Sequence, residues 1–356
     1  MGPFAAEFKG GRQINPRRAF QKCSLLGYER GMRLRAGHIL GLAALLALLL
    51  AWDAARAEGL RRAALIPQWE PQAQFAGYYA ARAKGFYAAR GVDLEILRGG
   101  PASPPSALLT HGRAQFGTLF LSTALRERSE GLKLVNLAQF LRGTTMLLVA
   151  RRASGVEKPE DLQGRRVSLW EKEYNIQPRA FFRKYRVGVK PLPQGFTVDL
   201  FLRGGADAMT AMNYNEYHVL LNAGLDPWEL TVFPMRDHGL DYPEDGLYAL
   251  EDTCRADPDL CRAVAEASIE GWRWVFAHPE EALDLVMVEV RAANLPTNRM
   301  HQKWMLERLR EAMTPPGGPG PGPLSREEFE TMARALKDEG LLANPVRYED
   351  FRVPAP

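Results

Sequence analysis

The chain has 356 residues, 46% of them hydrophobic and 25% charged, enough for one large or two medium domains with an ample core. Its formal charge of +4 is concentrated at one end: residues 1–57 hold nine Lys/Arg against three Asp/Glu, and the rest holds 37 basic against 39 acidic side chains. A body so close to neutral gives no reason to expect an electrostatic grip on nucleic acid, and no such partner is expected.

Arg33 and Arg35 precede an apolar run from Ile39 to Ala51, which leads into Ala55-Arg56-Ala57. A charged start, a short apolar stretch and a small-residue site make a secretory signal peptide over 32–57, cleaved after Ala57. The run is too short for the roughly 20 apolar residues of a membrane-spanning helix. Residues 1–31 carry no such pattern and end just before Met32, so a start at Met32 and a periplasmic mature protein are expected. No cysteine sits at the cleavage point, which argues against a lipid-anchored lipoprotein. The exported chain keeps Cys254 and Cys261, expected to close one disulfide around a small loop. No His or second Cys pair lies near them in sequence, so a metal site there is not expected.

After the signal, apolar strands alternate with helices. Residues 60–66 read as a strand, 74–90 as a helix, and 92–97 as a strand entered through Gly91. Between them, Trp69, Gln74, Phe75, Tyr78 and Tyr79 crowd the end of the first strand beside Pro67 and Pro71, as in the wall of a binding pocket. Gly99-Gly100-Pro101 is a loop, 105–112 a helix, 115–119 a strand, 122–129 a helix, 132–140 strand-like, and 145–150 a strong apolar strand. A second α/β unit starts near Arg151, with a short helix at 159–162 and a strand running into Trp170. A helix at 177–185, a strand and loop over 190–197, and a helix at 198–203 follow. The strand 207–212 then runs into Asn213-Tyr214-Asn215-Glu216, and 229–239 resembles a return crossing. Helices are expected at 258–277, 279–292, 302–312 and 326–339, with the Pro/Gly-rich 315–323 a surface loop. Strands separated by helices of this length argue a parallel α/β sheet.

Several chemistries have no visible start. The chain lacks GxxxxGK[ST], a Gly-rich dinucleotide loop, HExxH and Gly-x-Ser-x-Gly, and its six histidines are scattered. No carboxylate pair stands out for acid–base work. No catalytic residue and no cofactor are expected.

The stretches "WEPQAQFAGYYAARAKGFYAARGVDLEI", "GGP", "GRAQFG", "LAQF", "EDLQGRRVSLW" and "GADAMTAMNYNEYHVLLNAGLDP", in that order, resemble one family. It is the solute-binding proteins of ABC importers that capture thiamine-pyrimidine precursors, in the same superfamily as fungal thiamine-pyrimidine synthases and sulfonate binders. The resemblance covers residues 60 to 344. It implies a periplasmic-binding-protein type II fold, an α/β architecture of two lobes around a ligand cleft. Lobe I would take 58–150 plus 236–345 and lobe II 151–235, leaving 346–356 as a tail. It also implies a small-molecule ligand, an ABC permease as partner, and a monomer.

A flat polar heterocycle suits the residues that fall at the cleft. Trp69, Phe75, Tyr78 and Trp170 can stack on a π-face, whereas Tyr79 and Phe86 fit the apolar helical period and are expected in the core. Gln74, Asn213, Tyr214, Asn215 and Glu216 can face ring nitrogens or an exocyclic amine. Gly100, beside Pro101, lets backbone N–H groups come close. Ser122 and Thr123 open a helix and either cap it or hold an anionic group. Arg142 is a polar anchor or a solvated loop charge, and Trp170 a site or a surface residue. The synthases need a lysine, a histidine and a Cys-rich motif. The matching stretch 116–131 contains neither Lys nor His, near Leu119 and Thr123 or elsewhere, which disfavours an enzyme. A ligand-sensing domain for a membrane receptor is the remaining alternative.

Overall fold

The computed structural model describes residues 59–314 and 317–353. The expected signal peptide, its cleavage after Ala57 and the segment before it lie outside the described residues. Strand β1 (Arg61–Ile66) is followed by helix α1 (Ala76–Ala83), β2 (Val92–Ile96), α2 (Pro105–Thr110), β3 (Phe116–Phe120), α3 (Leu121–Ser129) and β4 (Leu134–Gln139). Next come β5 (Met146–Arg151), β6 (Arg166–Leu169), α4 (Ile176–Tyr185), β7 (Lys190–Pro193), α5 (Asp199–Leu202), β8 (Ala208–Met212), α6 (Glu216–Asn222) and β9 (Leu230–Pro234). The chain returns through β10 (Asp245–Leu250) into α7 (Glu251–Ala256), α8 (Pro258–Ala277), α9 (Pro279–Ala292), α10 (Arg299–Met313), α11 (Arg326–Asp338) and α12 (Tyr348–Phe351).

Two five-stranded sheets result, in the orders β2-β1-β3-β10-β4 and β7-β6-β8-β5-β9. Each has the same plan. Parallel strands form one side, and one strand arriving from the other half of the chain runs antiparallel between the last two. The expectation of a purely parallel sheet is corrected here, because β5 and β10 each enter straight from the opposite lobe without a crossover helix to reverse them. β5 was read as the end of the first unit, yet it pairs with β8 and β9. The lobes therefore exchange at 140–145 and again at 235–244, and the stretch read as a return crossing is β9, an edge strand. β7, with Pro191 and Pro193, pairs only with β6 at the other edge, the position where a missing N–H is harmless.

Packing explains the local departures. The helix read over 74–90 stops at Ala83, because the chain turns at Gly85 with φ +74° and resumes as a 3-10 turn at Ala88–Arg90. α1 lies directly on α8: a Cβ on Gly77 would sit 2.4 Å from the Trp272 indole, and one on Gly271 would sit 2.1 Å from the Gly77 carbonyl. Glycine at both positions is what lets the two helices touch. Cys254 and Cys261 form a disulfide between α7 and α8, with Cα atoms 5.6 Å apart. The stretch read as a C-terminal tail carries α12, whose Phe351 is fully buried against Tyr248 and Phe329. Among the described residues no helix is long and apolar enough to cross a membrane.

Candidate functional site

Parallel strands of both sheets point their carboxyl ends at one cavity of about 420 Å³, where open α/β sheets hold ligands. Trp69 follows β1, Gly100 and Pro101 follow β2, and Thr123 follows β3. On the opposite lobe, Trp170 and Lys172 follow β6, Phe196 follows β7, and Tyr214 to Glu216 follow β8. The loop after β2 is pressed against the loop after β1. A Cβ on Gly99 would lie 2.2 Å from the Pro67 carbonyl oxygen, and Gly100 adopts φ +138°. Only glycine fits either position, so Gly99 makes the close approach and Gly100 the turn.

The floor is a buried amide–carboxylate chain. Gln68 and Gln74 both donate their side-chain N–H to Asp245, at 2.7 and 2.6 Å, and Gln72 donates to Gln74 Oε1 at 2.6 Å. The carboxylate fixes which way the two amides face. Gln68 Oε1 is consequently left buried with no hydrogen-bond partner among the described residues. Burial pushes the Asp245 carboxyl up to about 6, against the pull of the Gln74 and Gln68 hydrogen bonds. Its neighbour Glu244 is pushed up to about 7 by burial. It accepts from Thr144 Oγ1 and Thr145 N at 2.8 Å and from Thr145 Oγ1 at 2.6 Å, which ties the two lobe crossings together.

The lobes meet across the cavity at several points. Trp69 and Phe196 come within 5.3 Å, centroid to centroid, at the mouth, and Phe120 meets Tyr174 edge-on at 5.2 Å. Glu173 of the second lobe accepts from Thr123 Oγ1 at 2.9 Å and from Arg126 Nε at 3.0 Å on the first. Glu216 faces the cavity while accepting from Met212 N at 2.9 Å and Asn215 Nδ2 at 2.8 Å. Burial pushes its carboxyl up, opposed by those bonds.

Trp69, Gln74, Gly100, Pro101, Thr123, Trp170, Tyr214 and Glu216 are thus brought together on the cavity. Other candidates fall elsewhere. Phe75 and Tyr78 are 1% and 3% exposed and turn into the core: Phe75 ends the 3-10 turn Ala73–Phe75, and Tyr78, edge-on to Phe140, lies on α1, which packs against α8. They join Tyr79, expected in the core. Arg142 is neither cleft anchor nor solvated charge. Its guanidinium is clamped by Glu328 at 2.7 Å and by the Gly320 and Pro323 carbonyls, pinning the Pro/Gly-rich loop. Ser122 lines a small neighbouring cavity of about 20 Å³. Asn213 lines a separate depression and gives its carbonyl to Trp304 Nε1. Sequence reasoning missed Gln68, Gln72, Tyr174, Phe196 and Asp245. Gln68, Tyr174 and Phe196 share a readable signal, a position just past a strand end. Asp245 carries none, since it arrives on the returning strand. Among the described residues no group of three or more His, Cys, Asp or Glu side chains is placed to hold a metal ion.

Two sheets of like plan, two crossings between lobes and a cleft at the carboxyl ends of both sets of strands define a periplasmic-binding-protein fold. The model of the NMT1/THI5 like family matches residues 72–282, and the chain belongs to that family. It is similar to the formylaminopyrimidine-binding protein of Halalkalibacterium halodurans, with 26% identity over 82% of this chain and 90% of that one. It is also similar to the riboflavin-binding protein RibY of Chloroflexus aurantiacus, with 24% identity over 70% of this chain and 72% of that one. Among solved structures, the periplasmic aliphatic sulphonate binding protein SsuA of Escherichia coli shares the fold. Its TM-score is 0.66 at 13% identity, covering 83% of this chain and 92% of that one.

Proposed function

We propose that this chain is the exported solute-binding component of an ABC importer. In this reading it captures a flat, amine-bearing nitrogen heterocycle of the thiamine-pyrimidine-precursor type and delivers it to a permease as a monomer. The observation that carries the reading is the polar balance of the cleft. Among the described residues, Glu127, Glu171 and Glu216 line the cavity against a single cation, Lys172. A ligand N–H gains a charge-assisted hydrogen bond from a carboxylate that faces the cavity. An anionic sulfonate would meet carboxylates instead.

Aromatic walls complete the fit: Trp69, Trp170, Tyr174 and Phe196 offer π-faces to a planar ring. The similarity to a formylaminopyrimidine-binding protein supports the same ligand class. Closure of the two lobes about the 140–145 and 235–244 crossings would bury the ring. Export rests on the signal-peptide pattern at 32–57. Mass spectrometry of small molecules released from protein purified from the periplasm tests the reading. An aminopyrimidine is expected, and an alkanesulfonate as the bound species would overturn it.

A further inference from the structure

Helix α10 of the first lobe presents His301, Trp304 and Arg308 on one face, at i, i+3 and i+7. Each touches its neighbour or the turn between β8 and α6 on the second lobe. Trp304 Nε1 donates to the Asn213 carbonyl at 2.9 Å, and the His218 ring lies flat on the Trp304 indole, 4.6 Å away and 5° from parallel. Arg308 sits over the same indole at 5.0 Å.

His301 is 7% exposed and both its ring nitrogens are spent on the second lobe. Asn215 has committed its amide N–H to Glu216, so its Oδ1 can only accept, and His301 Nε2 donates to it at 3.1 Å. His301 therefore carries its proton on Nε2, and its Nδ1 accepts from His218 Nδ1–H at 2.9 Å. The donors run from His301 through Asn215 to the Glu216 carboxylate on the cavity wall, and Asn222 Nδ2 also approaches His218 Nδ1, at the longer distance of 3.4 Å. Burial and the neighbouring His218 push the His301 imidazole down to about 4, so it stays neutral at neutral pH.

We propose that His301 is a positioning residue for the ligand-facing carboxylate. Through Asn215 it holds Glu216 in the orientation that meets a ligand N–H, and it does so only while the two lobes are in contact. Ligand capture by Glu216 and closure of the lobes are then one event, coupled through a helix that does not line the cavity. This rests on the cleft being the ligand site, as proposed above.

Two variants and two readouts test it. His301→Gln retains an N–H for Asn215 and an oxygen for His218, and His301→Leu retains neither. With hydroxymethylpyrimidine as the probe, His301→Leu should weaken binding by about tenfold or more, the size of a hydrogen bond to a charged group. His301→Gln should recover most of that. The analogue without the exocyclic amine should lose little in either variant. Equal losses for both variants, or for both pyrimidines, would overturn the assignment. The second readout needs no ligand. The histidine ring ¹⁵N spectrum at pH 7 should show His301 as the Nε2–H tautomer and His218 as the Nδ1–H tautomer. Finding the Nδ1–H tautomer on His301 overturns the proposal, because Nε2 then has no proton to give Asn215. If wild type binds neither pyrimidine while the tautomers are as stated, the ligand class fails and the positioning relay stands.

Discussion

Trp69→Ala and Phe75→Ala, six positions apart, should have opposite consequences. Trp69 is partly buried on the cavity wall with its ring against Phe196, while Phe75 is 1% exposed within the core. Truncating an aromatic anchor in a binding site costs about 2 kcal/mol or more, so Trp69→Ala should raise Kd by about 30-fold. The folded chain loses less with it than with a core residue, because the partly buried indole also lines the cavity. Truncating a buried phenylalanine costs about 3–5 kcal/mol of stability, which lowers Tm by on the order of 10 °C in a unit of this size. Binding to whatever fraction of Phe75→Ala remains folded should be close to that of wild type. Calorimetric titration with hydroxymethylpyrimidine, paired with thermal unfolding of the ligand-free proteins, reads both effects. If Trp69→Ala lowers Tm as far as Phe75→Ala does and leaves Kd unchanged, Trp69 is a core residue and the cleft is misassigned.

Other expectations follow from the same contacts. Glu244 is harder to ionise in the fold than in the unfolded chain. Its destabilising contribution is therefore absent below pH 4.5, grows as pH rises and levels off above about 7. Glu244→Gln can keep bonds to both threonines, so its stability relative to wild type should rise by about 1.4 kcal/mol per pH unit across that window; a flat difference between pH 4.5 and 7 would contradict this. Arg142→Met removes the cation shared by Glu328 and the Gly320 and Pro323 carbonyls, leaves Glu328 its bonds from Ser325, and should cost about 1–3 kcal/mol of stability with Kd unchanged in the folded protein. Gly77→Ala forces a methyl into the Trp272 indole and should cost about 1–3 kcal/mol, read as a lowered urea midpoint.

Strands were legible wherever a short apolar run was bounded by glycine or proline, as at β1, β2 and β8. β10 was not, and its partners β3 and β4 lie more than a hundred residues upstream. The direction of a strand set by such a return is a property of the whole chain, and local pattern does not carry it. For the site, position after a strand end was enough to place Trp69, Gly100, Pro101 and Trp170. Spacing alone could not separate Phe75 and Tyr78 from a binding face, since a buried helix stripe and a cleft wall share the same 3–4 period. Arg142 and Asp245 were opaque for a different reason: Arg142 takes its meaning from Glu328, and Asp245 from Gln68 and Gln74.

The central claim is that the cleft takes a ring that donates hydrogen bonds and refuses a small anion. Calorimetry of the purified protein against hydroxymethylpyrimidine, formylaminopyrimidine, riboflavin and ethanesulfonate under one set of conditions tests it most directly. The account predicts saturable one-to-one binding of an amine-bearing pyrimidine and no measurable heat with ethanesulfonate. Saturable binding of ethanesulfonate with none of either pyrimidine would contradict it.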